Sequence, residues 1–163
     1  MSSGESREKH EEKNYHSYLL RFALSDLLIR GGQQVGKIPR AGVIARGAPD
    51  RNPQVEGFRQ ALRELGYVEG QTIHVDYRFA QGRDDRIAEL AAELVRLKVD
   101  VIVSFSHHVS LIAKKATTEI PIVFAFVCDP VGVGLVPSLA RPGGNVTGVS
   151  LQGLDLIGNV RSC

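Results

Sequence analysis

Three observations predict an α/β fold built on a doubly wound parallel sheet of five strands. Two apolar runs rich in β-branched residues, Val99–Val103 and Ile120–Val127, show no polar–apolar alternation, which marks strands buried on both faces. One helix-sized connection separates them, so they form a βαβ unit. Strand-like and helix-like stretches then alternate from Ile38 to Ser150 in the order β-α-β-α-β-α-β-α-β. Right-handed crossovers arrange such a chain with strand order 2-1-3-4-5.

The chain has 163 residues, 43% hydrophobic and 23% charged, which suits one domain with a core. A net charge of +2, with no basic cluster interleaved with aromatics, argues against a nucleic-acid partner. Two cysteines, Cys128 and Cys163, give neither a disulfide framework nor metal-ligand spacing. No apolar run approaches a membrane span.

Residues 1–37 stand apart. The first sixteen are dense in charge and lack apolar periodicity, as in a disordered tail. Tyr18–Ile29 is more apolar, but Arg21 and Asp26 interrupt it. It reads as a short amphipathic helix rather than a secretory signal.

Ala41–Ala45 is the first strand. Asp50-Arg51-Asn52-Pro53 opens a helix, with Asp50 or Asn52 as cap and Pro53 in its first turn. Val55, Phe58, Ala61, Leu62 and Leu65 share a face, and Gly66 ends the helix. Ile73, Val75, Tyr77 and Phe79 alternate with polar residues, the pattern of a half-exposed edge strand. Asp84-Asp85 is expected to cap the next helix, which buries Ile87, Leu90, Ala91, Leu94 and Val95. The helix over 107–117 is expected to bury Val109, Ile112, Ala113 and Ala116. A short helix is expected over Leu135–Ala140, starting near Pro137. Arg141 to Asn145 forms a turn, Val146–Ser150 is the fifth strand, and residues 151–163 begin a crossover.

Ligands of open parallel sheets bind outside the carboxyl ends of the strands. Strand order 2-1-3-4-5 brings the turns 46–50, 104–108 and 128–130 side by side. No cofactor motif occupies them. Walker A is absent, GxGxxG fails because Pro137 stands where a third glycine belongs, and no G-x-S-x-G turn exists. An enzyme reading is therefore disfavoured. Helix N-termini converge on this rim and offer free N–H groups to a carboxylate or another small anion. Ser106 either caps the helix that follows, contacts a ligand, or does both. Asp129 either accepts a hydrogen bond from an amine or caps the turn before Pro130. His107 and His108, with Cys128 and Asp129, would make a poor metal set, because adjacent histidines do not share a helix face.

Residues 37–153 resemble a family of ABC importer substrate-binding proteins related to the tryptophan- and tyrosine-binding lipoproteins. The resemblance is carried by KIPRAGVIARG (37–47), by LRELGYVEGQ within residues 58–103, and by DPVGVGLVPSLARPGGNVTG within residues 114–150. It implies one lobe of a type I periplasmic-binding-protein fold: two doubly wound lobes clamp a small solute and pass it to an ABC permease in the membrane, with no chemistry on the solute. Matched position by position, the binding turns are Gly47 and Ala48, Ser106 and His107, and Asp129 and Pro130. The resemblance implies an amino acid or similar small organic anion as solute, and a periplasmic or membrane-anchored location. Residues 1–37 carry no clean signal peptide, which leaves a cytoplasmic location open. The chain ends at Cys163, where the path would cross into a second lobe. It is thus expected to be a truncated first lobe, with 38–150 as the α/β unit, and a lone lobe is expected to bind no amino acid measurably. A sensory domain of the same fold is the alternative, but residues 1–37 do not supply a helix-turn-helix.

Overall fold

The computed structural model describes residues 37–138 and 143–150. Five strands form one sheet: β1 (Arg40–Ala45), β2 (His74–Phe79), β3 (Val101–Ser104), β4 (Ile122–Val127) and β5 (Val146–Ser150). Their order is β2-β1-β3-β4-β5 and every pairing is parallel, as the sequence predicts. Three helices connect them: α1 (Pro53–Glu64), α2 (Ile87–Arg96) and α3 (His107–Ala116).

The sheet separates two buried clusters. Val43, Val101, Val103 and Val123 pack with Val55, Phe58 and Leu62 of α1. Ile44, Ile102, Ile122 and Phe124 pack with Leu90 and Leu94 of α2 and with Val109 and Ala113 of α3. Successive residues of β3 thus feed opposite layers, which is why its sequence lacks alternation. β2 takes the predicted edge, but its burial does not alternate: Val75 through Phe79 are all half-buried. Arg40 binds Asp76 through two nitrogens, and Arg78 binds Glu93 at 2.8 Å, so the polar side chains are partly covered as well.

The cap of α1 is Asn52, whose Oδ1 accepts from the Val55 N–H at 3.3 Å, and Pro53 opens the first turn. Gly66, at φ +82°, closes the helix: its N–H donates to the Arg63 carbonyl and that of Tyr67 to the Leu62 carbonyl.

Four local expectations are corrected. Asp84 and Asp85 do not cap α2, which is entered through a 3₁₀ turn over Asp84–Arg86 without a side-chain cap. Their carboxylates pair instead with Arg46 and Arg83. Ala116 is exposed, because α3 ends there and the chain turns away toward β4. β4 begins at Ile122 rather than Ile120, after the half-buried Pro121. No helix covers 135–138. A turn over 130–134 precedes that stretch, and the Pro130 carbonyl accepts from both the Leu135 and Val136 N–H groups. Lys114 of α3 clamps the same segment through the Gly134 and Leu135 carbonyls. The expectations for residues 1–36, 139–142 and 151–163 lie outside the described residues.

Candidate functional site: a donor-lined pocket at the strand ends

A pocket of about 460 Å³ opens where β1 and β3 end and α1 and α3 begin. The parallel pairing of β1 with β3 sets Ile44 beside Ser104, so Arg46-Gly47 and Phe105-Ser106 leave the sheet together. Gly47 and Ser106 both line the pocket, and these two of the sequence-derived residues are therefore neighbours.

Ser106 performs the capping role foreseen for it: its Oγ accepts from the Val109 N–H at 3.3 Å. A buried relay holds it in place. The Ser106 carbonyl accepts from both the N–H and the Oγ of Ser110, at 3.0 and 2.7 Å. Ser110 Oγ lies 2.7 Å from Ser104 Oγ. Because Ser110 has only one hydroxyl hydrogen, Ser104 is the donor of that pair. Both serines are fully buried.

The wall opposite Ser106 comes from the start of α1. Arg51, Asn52 and Gln54 line it, and Phe105 adds an aromatic face packed edge-on against Phe58, with ring centroids 6.4 Å apart. Sequence reasoning located this rim but overlooked Arg51, Asn52 and Phe105 as lining residues. The signal was present for Asn52: a capping asparagine spends its carbonyl on the helix and leaves its amide nitrogen to face outward.

The remaining candidates lie apart from the lining. Ala48 and His107 adjoin it in the chain; Ala48 is half-buried and His107 exposed. Asp129 and Pro130 follow β4. The Asp129 Oδ1 accepts from the Gly132 N–H at 2.8 Å, which is the turn-capping role. A Cβ at Gly132 would collide with that carboxylate, so any larger residue there would displace the Asp129 side chain. Pro130 is buried. His108 stands 3.9 Å from Asp84, which Arg46 already engages through two bonds of 2.8 Å. Cys128 is disulfide-bonded, and among the described residues no three His, Cys, Asp or Glu side chains gather as a metal site.

The family model described as ABC transporter substrate binding protein matches residues 44–158. The chain belongs to this family. Its sequence is 39% identical over 102 residues to a tyrosine-binding protein of Clostridioides difficile (strain R20291), covering 63% of this chain and 30% of that one. Among solved structures it is similar to an ABC domain from Streptococcus pneumonia in complex with L-Trp, at 30% identity and a TM-score of 0.65, covering 70% of this chain and 39% of that one. A conserved domain protein from Vibrio cholerae matches at 35% identity and a TM-score of 0.63. A ligand-free, open substrate binding protein with adhesive properties from Clostridium difficile matches at 31% and 0.62. Each of these two comparisons covers 74% of this chain and 43% of the other. The chain thus spans about a third of the curated relative and about two fifths of the solved ones. The family binds substrates for ABC transporters and is not catalytic; its fold is of the periplasmic-binding-protein kind. Among the described residues no helix is long and apolar enough to cross a membrane.

Proposed function

We propose that this chain supplies the first lobe of the solute-binding component of an ABC importer that works outside the cytoplasm and hands its cargo to a membrane permease. The solute is an aromatic amino acid or a similar small organic anion. The observation that carries this reading is the pocket at the ends of β1 and β3, where two helix starts and an aromatic wall meet in a member of a substrate-binding family. Relatives named for tyrosine and solved with L-Trp support the solute class. Gly47 and Ser106 form the floor of the site, Ala48 and His107 its edge, and Asp129 and Pro130 the neighbouring rim. The solute leaves unchanged.

A single lobe cannot enclose a ligand to the roughly 70–90% typical of small-molecule sites. The chain alone therefore gives no measurable heat with L-tyrosine or L-tryptophan in calorimetry. A chimera carrying residues 38–150 in place of the first lobe of the tyrosine-binding relative binds one of the two. Micromolar binding by the chain alone would contradict the shared-clamp part of the reading. A folded chimera silent toward both amino acids would contradict the solute class.

A further inference from the structure

We propose that Asn52 is the residue with which this lobe recognises a carboxylate. With the Ser106 hydroxyl it holds the acid end of an apolar carboxylic acid, while any amino group of that solute is held elsewhere. The inference rests on the solute-binding reading above and specifies which end of the solute this pocket takes.

Asn52 is 8% exposed, unusual for an asparagine on a rim. Its Oδ1 is committed to the Val55 N–H, and that bond fixes which end of the amide is oxygen. Nδ2 must then face the other way, next to Gly47, where a Cβ would stand 3.2 Å from it. Nδ2 has no hydrogen-bond partner among the described residues, yet no fully buried side-chain nitrogen or oxygen there lacks one. The amide nitrogen therefore reaches the pocket with two hydrogens to donate.

Its surroundings share that polarity. The Ser106 Oγ accepts from Val109 and keeps its own hydrogen available to donate. The N–H groups of His107 and His108 open α3 and have no acceptor within the helix. Arg51 lines the same wall with no ion-pair partner among the described residues, unlike Arg46, which Asp84 neutralises. No Asp or Glu lines the pocket. An ammonium would meet cations and donors there and be desolvated without compensation; a carboxylate would receive charge-assisted hydrogen bonds. Phe105 lines the same pocket and adds apolar surface to it.

The test is amide NMR on the ¹⁵N-labelled chain, titrated to tens of millimolar with three probes. L-tryptophan carries both charged groups, indole-3-propionate keeps only the carboxylate and tryptamine only the amine. The first two are expected to shift the Asn52 side-chain amide and the His107 and His108 N–H signals with similar midpoints, and tryptamine to leave them in place. Asn52→Asp keeps a good helix cap but replaces the donor with an anion. It should raise both carboxylate midpoints at least about tenfold, a change expected for losing one hydrogen bond to a charged group. Asn52→Ser caps without charge and should weaken both several-fold, which covers the case of a misfolded aspartate variant. Tryptamine acting like indole-3-propionate, or cap-preserving variants that bind as the parent does, would overturn the assignment while leaving the solute-binding reading intact. Silence of the pocket signals toward all three probes would also overturn the assignment, while the solute-binding reading is judged by the chimera.

Discussion

The two ends of the sheet treat their polar groups differently. At the amino end, Arg40 is clasped by Asp76, and the Asp100 carboxylate accepts from both Lys37 Nζ at 2.8 Å and the Arg40 N–H at 2.7 Å. The charges there satisfy one another. At the carboxyl end, Asn52 Nδ2, the Ser106 hydroxyl and the Arg51 guanidinium have donors to spare among the described residues, whereas Arg46 is tied down by Asp84. One end is closed on itself and contributes to stability. The other holds donors that water satisfies until a ligand replaces it.

This contrast can be broken most directly at Asp100. Asp100→Ala removes two acceptor contacts at the closed end and should cost about 2 kcal/mol, read as a lower midpoint in urea, with pocket NMR signals unmoved. A pocket that rearranged in this variant would show that the two ends are coupled. Ser104→Ala attacks the buried serine relay behind the open end. It should cost about 1 kcal/mol and weaken carboxylate binding with it, because Ser106 loses rigidity.

The pH dependence sharpens the contrast further. The hydrogen bonds from Arg40, opposed by desolvation, hold the Asp76 carboxyl below the usual carboxylate range. A depressed folded value means that its contribution is present above the unfolded value near 4 and is lost as the pH falls through the folded one. Thermal midpoints should thus drop below about pH 4, less so in Asp76→Asn. Burial pushes the Tyr77 hydroxyl the other way, up to about 12. That contribution is complete below about pH 10 and disappears as the pH rises through 12. The smallest effect is expected at Gly47. Gly47→Ala would press a methyl against Asn52 Nδ2, changing stability by less than about 0.5 kcal/mol while weakening carboxylate binding a few-fold.

The sheet order, its five strands and the edge position of β2 were legible because burial on two faces leaves a plain mark: Val101 and Val103 serve one layer, Ile102 the other. Asp84 was not legible. Its carboxylate is claimed by Arg46, distant in sequence, and no local pattern announces a partner that far away. The missing helix at 135–138 has the same origin, since Lys114 and the Pro130 carbonyl hold that stretch from outside its own sequence. Ser106 and the turn 46–50 were found because strand ends are fixed by topology, and Gly47 within that turn came from the family resemblance. Asn52 and Phe105 were missed as pocket residues because their orientation depends on a cap bond and on an aromatic contact that form only once the layers meet.

The dipeptide Asn52-Pro53 has a consequence for chemical ageing. Asparagine usually deamidates when the backbone nitrogen of the next residue attacks the side-chain amide. Proline has no N–H to lose and cannot take that path. The position where a spontaneous change to aspartate would reverse the polarity of the pocket is therefore followed by the residue that closes the usual route to it.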